Sequence, residues 1–240
     1  MNKLFEMSKK FPQTKVWNDS CSVKELKYCM ENGGVGATTN PVIVKNVLEK
    51  ELADYAEYIK NLIEANPTAS EDELAWVIIE KFAIDGAKVL EPVFNPKTGE
   101  GKISIQTNTK NYKNTEKLVE QVVYFATLAP NMQVKMPATA AGIKAFEEAT
   151  YRGVSINATV SFTATQAIAV GEAVQKGLDR RAAEGLDNSE ISLQHLIWQA
   201  WLVLKKHTRF IRKEGTSVKC WQQPIERRFT GWNLSEEMWF

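Results

Sequence analysis

From Thr14 to about residue 190 the chain repeats one pattern, a short β-branched run, a polar link and then an amphipathic helical stretch. This alternation predicts parallel βα units. Thr14 to Asp19 reads as a first strand, and Ser22 to Glu25 as a capping box opening a helix with Val23, Leu26, Cys29 and Met30 on its apolar face. Gly33 and Gly34 stop that helix. Val35 to Asn40 is the second strand, and Pro41 suits the first helical position, where a missing N–H costs nothing. Ser70 to Glu73 caps a helix running to about Leu90. The third strand is Gly101 to Asn108, followed by a helix burying Leu118, Val119, Val122, Val123 and Phe125. Met132 to Ala138 is the fourth strand, and the helix carrying Ile143 and Phe146 ends at Gly153. Val154 to Ser161 is the fifth, and Thr163 to Gln166 is another capping box, starting a helix with Ile168, Val170, Ala173 and Val174 inside. Five βα units do not close a barrel.

After about Ser192 the pattern stops. Residues 191–240 hold five of the seven tryptophans, both histidines (His195 and His207), and 8 Lys/Arg against 4 Asp/Glu. The run from Cys220 to Pro224 suits neither a central strand nor a helix interior. The chain therefore divides into a partial barrel domain, 1–190, and a tail, 191–240, without a recognisable fold.

The net charge of +1 gives no electrostatic case for nucleic acid, and no window reaches the apolar length of a membrane span or signal peptide. Cytoplasm is the expected location. Cys21, Cys29 and Cys220 form neither an even disulfide framework nor a metal-type spacing, so they read as reduced thiols. Asn157-Ala158-Thr159 matches a glycosylation acceptor only by accident in such a chain. The glycine-rich Gly33 to Gly36 stretch opens no helix with dinucleotide spacing, and Gly34 and Gly36 read as parts of a tight turn between helix and strand. The mixed charges of Lys176 to Glu190 read as a solvated helix end.

One residue breaks the apolar pattern. Lys135 sits within Met132-Gln133-Val134-Lys135-Met136-Pro137, where burial would strip its ammonium of water and lower its pKa toward that of a reactive amine. A lysine on an edge strand would simply face solvent. The other strand ends argue for chemistry. The first ends in Asp19, the second in Thr38-Thr39-Asn40, the third in Gln106-Thr107-Asn108, and the fifth supplies Asn157 and Thr159. In a parallel barrel these ends converge on one face. Each polar residue alone could be a helix cap or a turn residue. Together they are the types that Schiff-base chemistry on a polyhydroxylated substrate requires: an amine for the imine, a carboxylate to move protons, and amides and hydroxyls to hold hydroxyl groups.

At these residues the chain resembles the transaldolase family. The similarity spans roughly residues 14–190 and is carried by Trp17-Asn18-Asp19-Ser20, Gly36-Ala37-Thr38-Thr39-Asn40-Pro41, Val134 to Thr139 with Gly142-Ile143, Ile156-Asn157-Ala158-Thr159, and Gln166-Ala167. The resemblance implies an α/β fold, a TIM (β/α)8 barrel of the class I aldolase type, here incomplete, with its closing strands missing. It implies transfer of a dihydroxyacetone unit between sugar phosphates in the pentose phosphate pathway. Lys135 would form the Schiff base, Asp19 would shuttle the proton, and Thr159 would orient the relaying water. Asn40 and Asn157 would hold the dihydroxyacetone portion, with Thr39 and Gln106 also facing substrate. No metal or organic cofactor is implied, because the lysine imine is itself the electron sink. The implied partners are small-molecule sugar phosphates, with neither nucleic acid nor membrane, and an oligomer is possible.

Two departures from the family pattern matter. Transaldolases usually carry a glutamate where this chain has Gln106, as the related fructose-6-phosphate aldolases do. An amide cannot act as a general base, so an aldolase reading stays open. The family's later strands carry a serine and phosphate-binding arginines, and Arg209, Arg212, Arg227 and Arg228 have no matching context. Read one nucleotide earlier, the tail is constrained: Trp221 before Gln222 must give Ala, and Trp232 before Asn233 must give Glu. With permitted codons elsewhere that frame spells a segment resembling the family's missing end. The tail is then a frame-shifted product joined near Ser192, activity is impaired, and a catalytically dead fragment of weak stability is the third reading.

Overall fold

The computed structural model describes residues 3–12, 14–197 and 220–222. In chain order the helices are α1 (Lys3–Lys10), α2 (Val23–Glu31), α3 (Pro41–Lys50), α4 (Leu52–Ala65), α5 (Glu71–Leu90), α6 (Thr115–Ala126), α7 (Ala140–Tyr151) and α8 (Ala164–Ala183). The strands are β1 (Val16–Asn18), β2 (Gly34–Thr38), β3 (Lys102–Gln106), β4 (Met132–Pro137), β5 (Ile156–Ser161), β6 (Leu193–Ile197) and β7 (Cys220–Gln222). All seven strands are parallel, and each lies beside its predecessor in the sequence. That singly wound order is the order of a barrel, since a doubly wound sheet reverses direction at a switch point. Among the described residues β1 and β7 are paired on one side only, so the described strands form an incomplete barrel.

The sheet's two faces differ in chemistry because side chains alternate along a strand. Ile103 and Ile105 of β3, Met132, Val134 and Met136 of β4, and Ile156 and Ala158 of β5 enter one apolar core with Phe82 of α5, Phe125 of α6 and Phe146 of α7. The alternate positions are polar: Lys102, Ser104 and Gln106, then Gln133 and Lys135, then Asn157 and Thr159. Most of these are buried as well. Apolar outside and polar inside marks the second face as the concave lining. Its curvature follows from one contact. Lys102 Nζ on β3 donates to Ser192 Oγ, just before β6, at 2.9 Å. In a flat sheet those strands would stand ~14 Å apart at ~4.8 Å per strand, beyond a lysine's reach.

Local chemistry explains the helix starts. Ser70 and Glu73 form a reciprocal capping box on α5, and Thr163 and Gln166 form one on α8. At α2 the box is only half made. Ser22 Oγ accepts from Glu25 N, but the Ser22 N–H donates to Ser20 Oγ and the Ser22 hydroxyl to Glu51. Gly33, at φ +89°, makes the turn after α2. Gly34 and Gly36 are strand residues, contrary to the turn expected of them. A Cβ on Gly36 would lie 2.4 Å from the Trp17 indole, so the glycine makes room for that ring.

Four elements exceed the sequence reading. Helices α1 and α4 carry no cap or pattern used above, and their side chains contribute nothing fully buried. The tail supplies β6 and β7, which pair in register as Leu193↔Cys220, Gln194↔Trp221 and His195↔Gln222. As the last strand in the order, β7 does not occupy the central position that its composition argued against. His207, Arg209, Arg212, Arg227 and Arg228, and the alternative-frame reading of the tail beyond residue 222, lie outside the described residues.

Candidate active site

The C-terminal ends of β1 to β5 carry the candidate residues, and strand register sets their rows. Gln106 of β3 pairs with Lys135 of β4, and Lys135 pairs with Asn157 of β5. Residues paired this way in a parallel sheet point to the same face, so the three side chains stand side by side on the concave lining. Asn157 in turn registers with Gln194 of β6. One row further on, Thr159 pairs with Pro137, and its carbonyl accepts the Ala138 N–H at 2.8 Å. Val160 follows in left-handed backbone, at φ 55°, where a β-branched residue is strained, and the β5–β6 register shifts there.

Lys135 is 8% exposed. Burial lowers its pKa, and the nearby Asp19 carboxylate partly opposes that shift. Among the described residues Asp19 makes no ion pair with it. An amine so placed is more readily deprotonated than a solvated lysine, and deprotonation frees the lone pair that attacks a carbonyl. Asp19 itself is exposed, and its carboxylate accepts a hydrogen bond from the Thr38 hydroxyl.

The remaining candidates divide. Asn157 is fully buried, donates through Nδ2 to Ser104 Oγ at 3.1 Å, and leaves Oδ1 without a partner among the described residues. Asn40 caps α3, its Oδ1 accepting from Ile43 N at 2.9 Å, so the cap uses the oxygen of its amide and not Nδ2. Thr39 has its place in the interior. It is buried beside the Cys21 thiol, whose pKa burial pushes up to about 11. The preceding residue, Thr38, is the one that touches Asp19.

Three lining residues escaped the sequence reading, Lys102, Ser104 and Gln133, while Thr38 reads as a strand-end residue without a role of its own. Period-two alternation from Lys135 and Gln106 would have found all three, since Gln133, Ser104 and Lys102 lie two or four positions before them. Lys102 is 3% exposed and donates to Ser155 Oγ at 2.7 Å as well as to Ser192. Its pKa is lowered to about 8 by burial, partly offset by Glu190. No group of three or more His, Cys, Asp or Glu that could hold a metal ion occurs among the described residues. Among the same residues no helix is long and apolar enough to cross a membrane.

A singly wound parallel α/β sheet with a buried amine among amides at its strand ends has the architecture of part of a (β/α) barrel enzyme, whose sites lie at that end of the strands. Residues 16–194 match the family model described as transaldolase/fructose-6-phosphate aldolase, and the chain belongs to that family. It is 32% identical over 185 residues to Transaldolase 2 of Streptomyces avermitilis, covering 73% of this chain and 49% of the relative. A transaldolase of Thiobacillus denitrificans is 32% identical over 164 residues, covering 67% of this chain and 45% of the relative. One of Trichodesmium erythraeum is 30% identical over 188 residues, covering 74% and 48%. The chain thus spans about half the length of the curated relatives it matches.

Proposed function

We propose that this chain performs transaldolase-type chemistry, forming a Schiff base between Lys135 and the carbonyl of a ketose phosphate. The observation carrying this reading is the buried Lys135 amine, flanked in register by Gln106 and Asn157 and near Asp19 without pairing to it. The neutral amine adds to the carbonyl, and the carbinolamine, taking one proton from solvent at its hydroxyl, loses water to give a protonated imine. Asp19 takes the proton of the hydroxyl on the far side of the carbon–carbon bond to be cleaved. The bond's electrons pass to the imine, leaving an enamine on Lys135 and releasing an aldehyde. Addition of the enamine to an acceptor aldehyde reverses these steps and completes transfer of a dihydroxyacetone unit. Asn40 and Asn157 hold that unit by its hydroxyls, and Thr159 places the relaying water.

Gln106 favours a second reading. With an amide beside Lys135 there is no third-strand carboxylate to activate water, as in fructose-6-phosphate aldolase-type sites. The enamine would then be protonated and hydrolysed to free dihydroxyacetone. The exposure of Asp19 on an open sheet is a reason for turnover to be slow under either reading.

Borohydride reduction in the presence of fructose 6-phosphate, followed by peptide mass analysis, should label Lys135. A folded sample that stays unlabelled sinks both readings. Turnover that requires erythrose 4-phosphate selects the transferase, and release of dihydroxyacetone without it selects the aldolase.

A further inference from the structure

Beneath the candidate site runs a chain of side-chain hydrogen bonds whose direction is fixed from one end. The main-chain carbonyl of Ile156 can only accept. Gln133 Nε2 donates to it at 3.0 Å, which turns Gln133 Oε1 the other way. There Oε1 receives the Ser104 hydroxyl at 3.0 Å. A serine hydroxyl has one proton, so with that proton committed to Gln133 the Ser104 oxygen offers only lone pairs. Asn157 lies against those lone pairs at 3.1 Å and must present N–H, not C=O. Its amide oxygen is thereby turned away from the relay, buried and without a hydrogen-bond partner among the described residues. The three side chains are 0%, 1% and 0% exposed for Ser104, Gln133 and Asn157, so no bulk water competes for these positions.

We propose that Ser104 and Gln133 are positioning residues that lock the Asn157 amide with its oxygen toward the row of Lys135. The site then offers an acceptor at that point and selects a ligand with a hydroxyl there, an α-hydroxyketone in preference to a plain ketone. The reversed amide would set its oxygen against the Ser104 lone pairs and leave a buried repulsion. The orientation follows from the hydrogen-bond directions alone, while its use in imine chemistry rests on the Schiff-base reading above.

Two measurements test this. In isotope-labelled protein the Asn157 side-chain amide protons should exchange slowly in the wild type and in Ser104→Thr. In Ser104→Ala they should exchange about ten-fold faster or more, the scale of one ordinary hydrogen bond. Equal exchange in the wild type and Ser104→Ala overturns the proposal. Cyanoborohydride labelling of Lys135 should favour dihydroxyacetone over acetone as the probe. Ser104→Ala should lose roughly ten-fold of that preference, and should change nothing further once Asn157 is alanine. An unchanged preference overturns the proposal too. If Ser104→Ala does not fold, Gln133→Met serves in both measurements, because it frees the Ser104 proton to donate to Asn157 and lets the amide turn over. A wild type labelled by neither ketone defeats the Schiff-base reading, and amide exchange still decides the orientation.

Discussion

Gln106 occupies the position directly beside Lys135 in the register of two parallel strands, giving the buried lysine a polar neighbour that carries no charge. Desolvation therefore meets opposition from Asp19 alone among the causes that set this lysine's titration. A carboxylate in place of the amide would favour the ammonium form. Gln106→Glu should move the pH midpoint of Lys135 labelling upward by roughly one to three units, and Asp19→Asn should move it down. The check is the rate of cyanoborohydride-dependent labelling as a function of pH. If both variants leave the midpoint where it was, burial alone governs the amine and the row has no electrostatic part in its reactivity.

Asn40 caps α3 with one end of its amide and, under the proposed function, would hold substrate with the other, and substitution can separate the two. Its Oδ1 caps α3 through Ile43 N. Asn40→Ala should lower stability by about 1 kcal/mol, the usual value of an N-cap. Asn40→Asp keeps the capping oxygen and removes the amide donor. It should hold the thermal midpoint while reducing labelling by dihydroxyacetone. Loss of labelling in strict proportion to loss of stability would make Asn40 a cap and nothing more.

Much of this arrangement is legible in the sequence because it is local. The capping boxes at Ser70 and Thr163 are contiguous motifs, and Lys135 sits between Val134 and Met136 in a short strand. The placement of Thr38 and Thr39 illustrates what is not local. Which of two adjacent threonines faces the lining depends on the register Thr38↔Ser104, and a one-residue change of register exchanges the faces. Lys102 was invisible for a related reason. At the start of a strand a lysine reads as solvated, and only the curl of the sheet brings Ser155 and Ser192 to it. Strands β6 and β7 lack the βα alternation that revealed the others, so pairing with β5 is what identifies them.

The link from β4 to α7 leaves no room at Gly142. A Cβ there would stand 1.9 Å from the Pro137 carbonyl oxygen, and that carbonyl ends the strand bearing Lys135. The Thr139 hydroxyl, accepting from Gly142 N at 3.0 Å, holds the helix in place, so α7 cannot simply back away. Gly142→Ala should cost about 1 to 3 kcal/mol through overpacking, more than the roughly 1 kcal/mol that alanine gains in a helix. Gly171 of α8 is the comparison, since an added Cβ meets nothing within 4 Å. Gly171→Ala should raise stability by about 1 kcal/mol. Thermal midpoints that move in the same direction would show that the close approach at Pro137 is easily relaxed.

Lys102 makes the stability of this chain depend on pH with a definite sign. Its folded-state pKa of about 8 lies below the ~10.4 of a lysine in an unfolded chain. Between those values the unfolded state holds the proton and the folded state does not, so this group's contribution to stability rises with pH across the window. Below pH 8 both states are protonated and the buried charge imposes its full penalty, on the order of 3 kcal/mol. Lys102→Met removes the charge and leaves Ser155 and Ser192 still joined, because Ser192 N donates to Ser155 Oγ at 3.2 Å. The variant should therefore be more stable than the wild type at pH 7, and the difference should shrink by about 3 kcal/mol by pH 10.5. The Cys21 thiol, held up at about 11 by burial, shifts stability in the opposite sense above pH 9, but it is common to both proteins and cancels. Denaturant midpoints at pH 7, 8, 9 and 10 give the comparison. Parallel curves would mean that the Ser155 and Ser192 hydroxyls solvate the ammonium as well as water does, and that the interior lysine carries no energetic penalty.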